Sequence, residues 1–138
     1  MRSKIKEHHN ISVMQHGYSH NNYANVGEPL NEFGQHRNLE TQLKEIRIEF
    51  EKLITSFGNQ FVPVFVPPWG HIAESVIEKL STIGIEGISL IGHSDKNYPN
   101  LFFYISCIYK HEPIILFKLS HQETSVISNL LSNLASKY

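Results

Sequence analysis

"FVPVFVPPWG", Phe61 to Gly70, decides how the rest of the chain is read. Its first six residues are apolar without interruption, rich in β-branched and aromatic side chains, and they run straight into two prolines. A strand with one wet face alternates polar and apolar residues; this one does not, so it is expected to be buried on both faces, as in a parallel sheet. Three further runs share its character: "ISVM" at 11–14, "GISLI" at 87–91 and "PIILFKL" at 113–119. All four read as strands.

The segments between them read as helices. "NLETQLKEIRIEFEKLITSFG" repeats Leu39, Leu43, Ile46, Phe50, Leu53, Ile54 and Phe57 at spacings of three and four, with Asn38 placed to cap the start and Gly58 just past the end. "HIAESVIEKLSTIG" aligns Ile72, Val76, Ile77, Leu80 and Ile83 and stops at Gly84. A last helix is expected from Glu123 to Ala135, with Val126, Ile127, Leu130, Leu131 and Leu134 on one stripe. Strands alternating with helices give an α/β fold with crossover connections. Residues 21–37, polar and Gly-containing, read as a long loop, and 92–100 as turns.

At 138 residues the chain has the length of one domain. A net charge of −1 offers no basic field for nucleic acid or an anionic membrane surface, so neither partner is expected. The single cysteine, Cys107, excludes an internal disulfide, and its setting in "FFYISCIY" reads as a buried thiol. The polar start "MRSKIKEHHN" leads into no apolar stretch long enough for a signal peptide or a membrane span, and a cytoplasmic location is expected.

Each strand runs into residues with chemistry or special geometry. "ISVMQ" leads to His16 and His20, "FVPVFV" to Pro67, Pro68 and Trp69, "GISLI" to His93 and Asp95, and "PIILFKL" to His121. In parallel α/β sheets the loops at the C-terminal strand ends converge on one face, so these four groups are expected to share a cleft. Neutral imidazoles are good zinc ligands, and a catalytic zinc takes three protein ligands plus water. By spacing alone, a His-x3-His pair is more often incidental than a metal site. Pro67, Pro68 and Trp69 make either a rigid turn whose indole completes the core or a platform for a sugar ring. His121, by its residue type, is a capping or core histidine as readily as a catalyst.

Taken in order, "QHGYSH", "FVPPWG" and "LSH" resemble the metal, cleft-wall and late histidine motifs of the polysaccharide deacetylase family, the nodulation-type carbohydrate esterase domains. The resemblance covers about residues 11–123 of a single domain spanning 1–138. It implies a partial, irregular (β/α) barrel of the glycoside hydrolase/deacetylase type, with its first strand missing. It implies a metal-dependent hydrolase of carbon–nitrogen (non-peptide) bonds that removes acetyl groups from amino sugars or polysaccharides. His16 and His20 match the family's ligands for zinc or another divalent metal. Pro67, Pro68 and Trp69 match the wall of the carbohydrate site, Leu119 the acetyl pocket and His121 the general acid.

The chain also departs from the family pattern. Family members carry two consecutive aspartates before the histidine pair, one the catalytic base and the other the third zinc ligand; here Asp95 is the sole aspartate. Val66 stands where many members have an arginine that orients the base. Related branches place Asn-Arg after Pro-Pro-Trp, where this chain has Gly70 and His71. Weakly held metal and impaired or absent activity in the isolated chain are therefore expected. Glu7, His8, His9 and Asp95 are the candidates to substitute. Two alternatives stay open: a non-catalytic carbohydrate-binding remnant using Trp69 with Tyr18 and Tyr23, and a cytosolic metal-binding or scaffold domain. A barrel lacking a strand leaves two edges for a second copy or a complementing fragment to cover.

Overall fold

A computed structural model describes residues 12–90, 96, 98–107 and 115–119. The fold is mixed α/β. Strands β1 (Val13–Gln15), β2 (Phe61–Phe65) and β3 (Gly87–Leu90) form an open parallel sheet, extended by β4 (Phe102–Cys107), parallel to β3, and β5 (Ile115–Leu119), antiparallel to β4. Spatial order follows chain order. The register between β1 and β2 is irregular, with Val13 opposite Phe61 but Gln15 opposite Phe65. Pro63 lies in that interval and has no N–H to give to a ladder.

Helix α1 (Leu39–Phe57) keeps both expected caps. The Asn38 side chain accepts from the Thr41 N–H at 2.9 Å, and Gly58, at φ 53°, donates its N–H to the Ile54 carbonyl. Only part of the expected apolar stripe is buried: Ile46 is fully enclosed, Leu39, Leu43 and Phe50 pack at the core margin, and Ile54 is 45% exposed. Gln42 joins the buried face and donates to the carbonyls of Gly34 and Arg37. It ties the end of the long loop to the helix.

Helix α2 (Glu74–Leu80) begins later than its sequence pattern suggests. Trp69 and Gly70 both have positive φ and turn the chain, after which Ile72 bridges Phe33 and the Ala73 N–H donates to the Phe33 carbonyl at 2.7 Å. Backbone groups engaged in a strand-like bridge are not available to a helix. A 3-10 turn, Ser81–Ile83, continues α2 to Gly84, which takes a left-handed φ of 105°. The core lies between sheet and helices, where Phe33, Ile46, Phe65, Val76, Leu80, Ile85 and Ile88 are almost fully buried and Phe33 meets Phe65 edge to face.

Two expectations change here. "FFYISC", read only as the surroundings of Cys107, is strand β4. The last strand is antiparallel because the link at 108–114 is too short for a parallel crossover, which takes a dozen or more residues. The expected helix at 123–135, together with Glu7, His8, His9, His93, Asp95 and His121, lies outside the described residues. No helix among the described residues is long and apolar enough to cross a membrane.

Burial along α1 is directly testable. Ile46→Ala should lower unfolding free energy by about 2–5 kcal/mol, and Ile54→Ala by about 0.5 kcal/mol, in urea titrations followed by circular dichroism. Equal losses would mean that the helix presents a different face to the sheet.

Candidate functional site

Strands β1 and β2 end side by side, and the site grows out of that junction. The Val66 N–H donates to the Gln15 carbonyl at 2.8 Å, continuing the ladder one step beyond the strands. Gln15 is fully buried and donates through Nε2 to the Ile46 carbonyl of α1 at 3.1 Å. This fixes the position from which the chain leaves the sheet.

His16 follows at once and is exposed. Its Nδ1 lies 3.0 Å from the Val66 carbonyl oxygen. A carbonyl can only accept, so Nδ1 carries the proton and Nε2 keeps its lone pair free for a ligand. Gly17 turns the chain at φ 67°, and His20, at φ 56°, turns it again in a conformation that side chains beyond Cβ rarely adopt. The two turns bring the His20 ring back toward His16, with centroids 5.1 Å apart and planes tilted by 48°. Trp69, also left-handed at φ 56°, packs on the other side of His20 at 4.4 Å between centroids. Pro67 and Pro68 beneath it are buried.

The turn between the histidines is built on a residue that sequence reasoning passed over. Glu32 is fully buried, and its carboxylate accepts from the N–H groups of Tyr18 (3.2 Å), Ser19 (2.6 Å) and His20 (3.1 Å) and from the Ser19 hydroxyl (2.8 Å). Its backbone carbonyl accepts from Arg37 Nη1, and Arg37 makes a two-pronged ion pair with Glu45 of α1 at 3.0 and 2.9 Å. The sequence signal was slight: one acid in a polar loop, "NEFG", twelve residues after His20.

The expected site residues divide into two groups. His16, His20, Pro67, Pro68 and Trp69 gather at the ends of β1 and β2. Leu119 does not join them. A row of partners, Gln15–Phe65–Ile88–Phe103–Leu119, crosses the sheet, so Leu119 sits four strands from Gln15, about 19 Å along the sheet at ordinary strand spacing. The antiparallel β5 runs toward the starts of the parallel strands, away from the ends that carry His16 and Trp69. Of the four strand ends expected to share a cleft, those of β1 and β2 bring their residues together, while the groups after β3 and β5 lie outside the described residues. Among the described residues no three His, Cys, Asp or Glu side chains converge where they could hold a metal ion, and His16 and His20 stand as a pair of neighbouring rings. Of the aromatic residues proposed as a sugar platform, Tyr18 and Tyr23 are 42% and 40% exposed, and the Arg37 guanidinium sits over one face of the Tyr23 ring at 4.0 Å.

Comparison with protein-family models, curated proteins and solved structures finds no match for this chain.

Packing beneath the turn gives a sharp contrast between two glycines. A methyl group on Gly17 would come within 2.3 Å of Glu32 Oε2 and 2.5 Å of Pro68 Cγ, whereas one on Gly27, at φ 91°, would meet nothing within 4 Å. Gly27→Ala should cost only the left-handed backbone penalty, about 1–2 kcal/mol, and Gly17→Ala clearly more. Equal thermal-melting shifts for the two variants would contradict the packing of Glu32 against Gly17.

Proposed function

We propose that the chain is a polysaccharide deacetylase-like domain in which His16 and His20 hold a divalent ion, zinc by ligand chemistry, beside a carbohydrate surface offered by Trp69, with the buried Pro67 and Pro68 stiffening the chain that carries it. In this reading the open sheet is part of the family's irregular (β/α) barrel. One observation carries it: the imidazoles stand 5.1 Å apart with the His16 proton committed to Val66. Two imidazoles sharing a tetrahedral ion at metal–nitrogen distances of about 2.0–2.1 Å have ring centres about 5 Å apart. The donor set and its spacing therefore fit the ion.

Zinc in such a place supplies Lewis acidity toward a carbonyl oxygen and toward water. The chain's own part is to present the ligands. Val66 fixes the His16 tautomer, as a carbonyl behind a metal-binding histidine commonly does, and Trp69 limits the directions open to the His20 ring. A base to take the proton of water is lacking at the family position, since the sequence has no Asp-Asp. In the family scheme His121 would protonate the leaving group and Leu119 line the acetyl pocket. The course of β5 away from the pair supports an ion-holding, sugar-contacting domain with weak or no hydrolysis over a working esterase.

Zinc titrated calorimetrically into the metal-stripped chain should bind at one equivalent. Affinity should fall by more than about tenfold in His16→Ala and in His20→Ala. Acetyl release from chitooligosaccharides should stay near background. No binding, or binding unaffected by either substitution, would overturn the reading. Sugar binding that survives a chelator and is lost in Trp69→Ala would replace it with a metal-free carbohydrate-binding domain.

A further inference from the structure

We propose that Glu32 is the positioning residue of the histidine pair, an inference that rests on the metal-binding reading above. Its carboxylate is fully enclosed and takes donors from three successive residues, Tyr18, Ser19 and His20. Three converging N–H groups form a concave anion seat, and here the anion is the chain's own side chain. With both oxygens occupied in this way and no exposed surface, Glu32 is a support for the ligands and not a ligand itself.

Two features tie this seat to the geometry of the pair. The bond to the His20 N–H acts at the residue whose backbone is left-handed, and a conformation of that kind persists only where its surroundings over-determine it. The carboxylate and the Pro68 ring both crowd the position of Gly17, so the turn that carries the histidines meets Glu32 and the segment that carries Trp69 at one residue. Without it, His20 would lose the bond that directs its ring toward His16 on one side and Trp69 on the other. Outer-shell partners of metal ligands typically contribute 10- to 100-fold to metal affinity, and Glu32 is placed to act in that way through the backbone.

Glu32→Gln tests this with little change of shape. The amide retains one oxygen but turns an N–H₂ toward at least one donor of the turn, so the seat is broken while the volume is kept. Zinc affinity of the full-length variant should drop by about tenfold or more. Ile77→Val, a core change away from the turn, serves as the control for general destabilisation and should leave zinc affinity within about twofold. In ¹H–¹⁵N spectra the amides of Tyr18, Ser19 and His20 should be protected from exchange in the parent chain and lose protection in Glu32→Gln, with the Ala73 amide unchanged. If Glu32→Gln does not fold, Glu32→Asp, which keeps the charge but withdraws it by one methylene, is read in the same way.

Parent-like zinc affinity in the Glu32 variant would overturn the proposal, as would an equal loss in Ile77→Val. Should the parent bind no zinc, the metal-binding reading fails and the amide protection alone judges Glu32. Loss of protection at 18–20 would support its positioning role, and unchanged protection would overturn it.

Discussion

A buried carboxylate answered by four donors from three consecutive residues is the constraint on which the histidine pair depends. Placing a carboxylate out of contact with water is costly unless hydrogen bonds replace its hydration, and the contacts at 2.6 and 2.8 Å to Ser19 are in the short range of bonds to a charged acceptor. Glu32 therefore has one satisfactory arrangement, and the turn takes its shape from it. From Glu32 the support runs outward: its carbonyl to Arg37, Arg37 to Glu45, and so to α1. The long loop at 21–37 is thereby fastened at both ends.

The sheet supplies the other half of the geometry. Parallel strands β1 and β2 bring Gln15 and Phe65 to the same level, and the Val66 peptide then serves both strands' continuations. Its N–H holds Gln15 and its carbonyl holds His16. The backbone of Val66 thus orients an imidazole as well as joining the strands. The same junction delivers Trp69 through a proline-stiffened step to the far side of His20. The result is a histidine pair with a defined tautomer and an aromatic flank.

The sequence made some of this legible and concealed the rest, for identifiable reasons. Asn38 and Gly58 act locally, within one turn of α1, and so could be placed from residue type alone. The runs at 11–14, 61–66 and 87–91 declared themselves as strands by near-continuous apolarity, and strands form at 13–15, 61–65 and 87–90. That the histidine pair and Trp69 lie near one another also followed, because parallel strands put their C-terminal ends on one side. What escaped was non-local. Ile72 fits the helical stripe of α2 yet pairs with Phe33, 39 residues earlier, and is fixed there by the tertiary bridge. The antiparallel turn of β5 depended on recognising β4 in "FFYISC", since only then is the link too short for a crossover. Glu32 carries no motif at all, and its role exists only once the chain from 16 to 37 has folded back on itself.

The account stands or falls on whether His16 and His20 act together as a pair with defined nitrogens. The most direct measurement is a long-range ¹H–¹⁵N spectrum of the histidine rings, recorded as zinc is added to one equivalent. The account predicts that His16 is the Nδ1–H tautomer before zinc, and that its Nε2 and one ring nitrogen of His20 shift together, in step with metal and with no third histidine required. A His16 ring protonated on Nε2, or two rings that respond independently of each other, would contradict it.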